Sequence, residues 1–114
     1  MPIPPIQKQL AEKLMHRYCD NKIPKELQDQ INLKYVIKGN NITLVESRPF
    51  WKDESKWIDT NIAQIRFNNA EKTYTLYYAD RNDKWHFYEF LEPSQNLEDL
   101  LTELDNDSIG IFFG

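Results

Sequence analysis

The stretch TYTLYYADRNDKWHFYEF, from Thr73 to Phe90, reads as two β-strands joined by a polar turn. Successive strand side chains point to opposite faces. Tyr74, Leu76 and Tyr78 therefore share one side of the first strand, and Thr73, Thr75, Tyr77 and Ala79 share the other. The turn falls within Asp80, Arg81, Asn82 and Asp83, residue types that bond their own backbone and tolerate tight turns. A loop of two or four residues pairs even positions with odd ones. Trp85 and Phe87 then join Tyr74, Leu76 and Tyr78 on an apolar core face. His86 and Tyr88 join Thr75 and Tyr77 on a face of hydroxyls, imidazole and aromatic rings. A three-residue loop swaps these partners, because a slip of one residue flips every side chain.

Working back along the chain, Ile62 to Phe67 is the expected preceding strand, with Ala63, Ile65 and Phe67 facing the core. Asn68 to Glu71 forms the turn. With a four-residue loop, Arg66 pairs near Thr73 and falls on the polar face beside Gln64 and Thr75. FWKDESKWIDTN, from Phe50 to Asn61, reads as a loop of mixed charge. Its length is at the edge of what a compact domain carries without purpose, and Trp51 and Trp57 either pin it to the core or line a cleft. Before it, INLKYVIKGNNITLVESRPFW reads as a hairpin turning at Gly39, Asn40 and Asn41, residues that accept positive φ. A two-residue loop there puts Ile42, Leu44, Glu46 and Arg48 on the face of Ile31, Leu33, Tyr35 and Ile37. Glu46 and Arg48 then emerge from the apolar side and can bridge each other, and Pro49 ends regular pairing.

Helices flank this sheet. Pro4 and Pro5 suit a helix start, and Ile6, Leu10, Leu14 and Tyr18 recur at i+4, broadened by Ala11 and Met15. The helix ends near Asp20 and Asn21, before Pro24. After Pro93, Ser94 or Asn96 can cap a second helix, whose Leu97, Leu100, Leu101 and Leu104 follow the amphipathic spacing. The tail DNDSIGIFFG is apolar at its end and is expected to tuck in or pair. The expected fold is α+β: a five-stranded antiparallel meander with an N-terminal and a C-terminal helix packed on one face. It forms a single domain over 1–114, with a helix about 5–20, a sheet about 30–90 and a helix about 96–105.

Length and composition agree with one globular core, at 114 residues with 40% hydrophobic and 28% charged. A net charge of −4 argues against a nonspecific nucleic-acid binder, which carries a basic patch. A single cysteine, Cys19, allows no internal disulfide and fits a reducing compartment. MPIPPIQKQL lacks the charged start and apolar block of a secretory signal, and no run reaches transmembrane length. A cytoplasmic location without membrane association is expected.

The segments GNNITLVESRP, AQIRF, TLYYADRNDKWHFY and the DxDxxGIFFG ending, spread from about Cys19 to Gly114, resemble the small bacterial domain-of-unknown-function family numbered three thousand and twenty-four. The sequence departs from that pattern at Tyr74, Tyr78 and Phe113, where the family has tryptophan. The resemblance implies a bacterial single-domain protein. It implies no activity and carries over no catalytic residues.

Among candidate groups, His86 stands near Arg66, Tyr77 and Tyr88 on the polar face, a set suited to binding an anion or to acid–base work. The plainer reading is a half-exposed histidine on a polar sheet. Glu46, Arg48, Asp80 and Arg81, near the loop with Trp51, form either a charged cleft or an ion-pair network that closes the sheet end. His16 and Cys19 have ligand-like spacing, but no second pair exists, so no metal is expected. Asp105, Asp107 and Gly110 echo the start of a calcium loop, yet its twelfth position falls beyond Gly114, and a helix stop is the reading. No P-loop, dinucleotide fingerprint, HExxH or GxSxG occurs, and no cofactor is expected. The expected function is a binding or interaction domain using the polar-aromatic face, with a protein partner or a second copy as its counterpart. Alternatives are an enzyme with His86 as acid or base and arginines holding an anionic substrate, and a binder of single-stranded nucleic acid that stacks bases on Tyr77 and Tyr88.

Overall fold

The structure is a computed structural model describing residues 2–113; Met1 and Gly114 lie outside it. In chain order it runs α1 (Pro5–Lys22), a 3-10 turn (Lys25–Leu27), β1 (Asn32–Lys38), β2 (Asn41–Phe50), β3 (Asp53–Asn68), β4 (Thr73–Ala79), β5 (Trp85–Phe87) and α2 (Leu97–Asn106). The strands form one antiparallel meander in sequence order, and both helices pack on one of its faces. This is the α+β arrangement expected.

Local chemistry sets the register of the first turns. Gly39 and Asn40 join β1 to β2, with Gly39 at φ 62°, which glycine adopts without a Cβ clash. Lys38 pairs with Asn41, so Leu33, Tyr35 and Ile37 share a face with Ile42, Leu44, Glu46 and Arg48, as the alternation predicts. Between β3 and β4, the Asn68 carboxamide oxygen accepts the Ala70 and Glu71 N–H groups, and Lys72 adopts φ 58°. The loop has four residues, Asn68 pairs with Thr73, and Arg66 pairs with Thr75. Arg66, Gln64 and Thr75 thus share the face away from the helices.

The core joins Met15 of α1, Leu100 and Leu104 of α2, and Leu44, Ile65 and Leu76 of the sheet. Each is almost fully buried, and each such side chain contributes about 1.5–3 kcal/mol by leaving water. α1 is turned relative to the expected stripe. Ala11, Met15 and Cys19 face the sheet, while Ile6 and Leu10 are 72% and 58% exposed. The small Ala11 and Cys19 side chains allow close approach to the strands, and Leu14 and Tyr18 are left on the flank beside α2.

The turn between β4 and β5 is five residues long, not two or four. Ala79 pairs with Trp85 and Tyr78 with His86. The Asp80 carboxylate accepts the Asn82 and Lys84 N–H groups, and Asp83 sits at φ 61°. The odd length inverts the expected faces. Trp85 and Phe87 lie on the uncovered side with Tyr77, His86 lies with Tyr78, and Tyr88 is buried in the core.

The Phe50–Asn61 stretch is not a loop. β2 runs to Phe50 and β3 begins at Asp53, so the β2–β3 hairpin extends as an arm beyond β1, which pairs only as far as Ser47. Pairing does become irregular after Pro49. The tail tucks in as expected. Asp107, at φ 43°, accepts the Phe112 and Phe113 N–H groups on its carboxylate, and Phe112 packs against Tyr88. Among the described residues, no helix is long and apolar enough to cross a membrane.

Candidate functional site

The face opposite the helices carries a row of side chains across four strands. Gln64, 8% exposed, donates to Thr43 Oγ1 at 3.1 Å. Its own Oε1 accepts from Arg66 Nε at 2.8 Å. The Arg66 guanidinium carbon lies 3.9 Å from the centroid of the Tyr77 ring. Tyr77 in turn meets Phe87 edge to face at 5.8 Å. Register explains each step: Thr43 is opposite Gln64, Gln64 opposite Tyr77, and Tyr77 opposite Phe87. A bidentate-capable cation is thereby held over an aromatic ring, an arrangement suited to carboxylates, phosphates and planar groups.

Two polar depressions flank this row. One, of about 310 Å³, is lined by Asn40, Arg66, Phe67, Asn68, Asn69, Thr75 and Tyr77. The other, of about 320 Å³, is lined by Gln28, Asn32, Lys34, Ser47, Trp57 and Asp59. Asp59 accepts from the Ser47 hydroxyl and pairs with Lys34 at 2.9 Å. The Ser47 hydrogen bond, then Lys34, holds its carboxyl below the usual carboxylate range. Trp57 connects this depression to the arm, where Trp51 is 79% exposed and meets Phe50 in an edge-type contact at 6.0 Å.

The remaining candidates do not gather here. His86 lies off this face at the β5 end, where Nε2 meets Asp80 Oδ2 at 2.7 Å and the ring stacks on Tyr78 at 5.3 Å. The His86 contact, then the Lys84 and Asn82 N–H groups, draws Asp80 down to about 2. Tyr88 is core: its hydroxyl donates to Glu103 at 2.7 Å, and burial with the carboxylate pushes it up to about 12. Glu46 and Arg48 bridge each other at 2.7 Å, while Asp80 takes His86 and Arg81 stays exposed. The four charges do not gather: Glu46 and Arg48 form one pair, Asp80 pairs with His86 instead, and Arg81 joins neither. On α1, Cys19 faces the core with its thiol pushed up to about 12 by burial, and exposed His16 pairs with Asp20. No group of three metal-ligating side chains forms among the described residues.

Sequence reasoning missed Thr43, Phe87, Lys34, Ser47 and Asp59 as members of this surface. Phe87 carries no signal of its place: turn-forming residues at 80–83 suit a tight turn as well as the five-residue one observed, and the parity of that turn decides its face.

Comparison with protein families adds one match, to a model described as Domain of unknown function (DUF3024), over residues 3–114. The chain belongs to the DUF3024 family. The match covers the sheet, both helices and the tail, and so reaches further toward the N-terminus than the resemblance visible in short segments. The family description carries no activity. No curated protein and no solved structure matches this DUF3024 chain.

Proposed function

We propose that this DUF3024 protein is a small cytoplasmic binding domain of bacterial origin, folded as one unit, whose working surface is the uncovered sheet face. The observation that carries this reading is the Arg66–Tyr77 stack at 3.9 Å, braced by Gln64 and Thr43 and open to solvent between two polar depressions. A buried glutamine spent on orienting an arginine costs stability unless its bonds are made. Both are made here, which fits a surface selected for a presented cation. Trp57 and the arm extend the surface beyond the sheet, toward a protein partner or a second copy.

A thermal-shift screen with nucleotides, common anions, metabolites, divalent metals and short single-stranded oligonucleotides tests the reading. A ligand at a hundred times its dissociation constant adds about 2.7 kcal/mol of stability. The expected result is a hit lost in Arg66→Ala and Tyr77→Ala. A hit indifferent to both substitutions overturns the sheet face as the site. A hit limited to oligonucleotides, with strong salt dependence, moves the reading to nucleic acid.

The Asp80–His86 pair favours a second reading, an enzyme with His86 as acid or base. A carboxylate orients its imidazole, as acid–base chemistry requires. The two depressions on the sheet face are lined by other residues, whereas Arg66 and Tyr77 both line one of them. The binding reading is therefore the stronger.

A further inference from the structure

α1 has 18 residues and α2 has 10, or about 27 Å and about 15 Å of helix. The two run in the same direction. Glu98 of α2 lies beside Leu14 and Arg17, and Asp105 accepts from Tyr18 and Lys22. α2 therefore covers only the C-terminal half of α1. Alongside the N-terminal half lies a groove of about 540 Å³, floored by Ala11, Phe67, Tyr74 and Leu97. Leu10 forms part of its wall, and Ile6, one turn earlier on the same side of α1, is also exposed. The Ile6, Leu10, Leu14 spacing is that of a helix-packing stripe, and α2 reaches only its last member.

The rim of this groove is positive in a chain whose net charge is −4. Lys13, Arg17 and Lys72 line it and enter no ion pair among the described residues, against a single acid, Glu98. We propose that this groove receives an acidic amphipathic helix from a partner protein. That helix lies in line with α2 and completes the helical layer over α1, with apolar residues on Leu10 and carboxylates on Lys13, Arg17 and Lys72. A second copy cannot supply it through α2. The acidic α2 buries its own leucine face, and Asp99, Glu103 and Asp105 are engaged by Ser94, Tyr88 and Lys22.

The test is an amide-resolved NMR titration of the full chain with two synthetic helical peptides. Both carry leucines at i, i+3, i+4 and i+7; one has glutamates elsewhere and the other lysines. The expected result is that the glutamate peptide shifts Leu10, Lys13, Arg17 and Lys72, and that the lysine peptide binds about tenfold more weakly. Lys13→Glu with Arg17→Glu reverses that preference, and Leu10→Ser abolishes binding. All three positions are exposed, so the fold is retained in the variants. Absence of shifts at these residues at millimolar peptide overturns the proposal, as does equal binding of the two peptides. Arg66→Ala leaves the titration unchanged, and shifts centred on Arg66 and Tyr77 instead overturn the groove while supporting the sheet face.

Discussion

The hydroxyl of Tyr88 donates to Glu103 Oε1 at 2.7 Å, tying the residue that follows β5 to the middle of α2. Tyr88 is 1% exposed, and its ring also meets Phe112 at 5.0 Å. One side chain thus fastens sheet, helix and tail. Tyr88→Ala is expected to cost about 3–5 kcal/mol as a core aromatic deletion. Tyr88→Phe should cost about 1–2 kcal/mol, because Ser108 still donates to Glu103. Trp85→Ala, on the partly exposed opposite face, should cost distinctly less than Tyr88→Ala. Chemical denaturation of the three variants checks the ranking, and a larger loss for Trp85 would contradict the five-residue turn.

Asp80 supplies the pH dependence. Its folded value, about 2, lies below the value of roughly 3.9 for an unperturbed aspartate. A depressed carboxylate contributes stability that is present above its unfolded value and is lost as pH falls through the folded one. The melting-temperature difference between wild type and Asp80→Asn should therefore hold at neutral pH, shrink below about pH 4 and vanish only below about pH 2. Carboxyl NMR of Asp80 gives a direct check: His86→Ala should raise its titration midpoint, and a midpoint near 4 in the wild type would sink the pairing.

Arg66 and Tyr77 should show measurable coupling. A double-mutant cycle over Arg66→Ala and Tyr77→Ala is expected to give about 0.5–1 kcal/mol for a stacked cation at a partly exposed site. Additive losses would mean the guanidinium does not rest on the ring in solution.

The arm should be dispensable for folding. Residues 51 to 60 are exposed along their whole length. Replacing residues 49 to 57 with Asn-Gly, which closes a two-residue hairpin on the Arg48–Ile58 pair, should change stability by no more than about 1 kcal/mol. A cooperative loss of several kcal/mol in a thermal melt would show that the arm packs on the body.

Much of this architecture is legible in the letters. Gly39 and Asn40 announce a two-residue turn, Asn68 a four-residue one, and both registers follow. The β4–β5 turn is harder, because the Asp80 carboxylate sets its length, and hydrogen bonds of that kind leave no trace in apolar alternation. The same parity error moved Tyr88 out of the core and Phe87 off the uncovered face. The arm escaped notice because both of its sides face water, so its strands show no periodicity. The Arg66, Gln64 and Thr75 grouping was readable from alternation alone. Its bracing by Thr43 was not, since the Phe50–Asn61 stretch between the two strands reads as a loop and leaves the β2–β3 register open.

β3 holds one residue more than its partner needs. Leu44 pairs with Ala63 but Val45 pairs with Asn61, leaving Ile62 unmatched and turned into the core beside Ala63. Were the strand to run on without this slip, Ile62 would stand opposite Val45 and Asp59 opposite Arg48. Trp57 would then move to the helix side, and the Ser47–Asp59–Lys34 triangle would dissolve. The surplus residue works as a phase shifter between two stretches of one strand. It lets the inner stretch answer to the core and the outer stretch to the uncovered face, so the arm can change length or sequence without retuning the body that carries it.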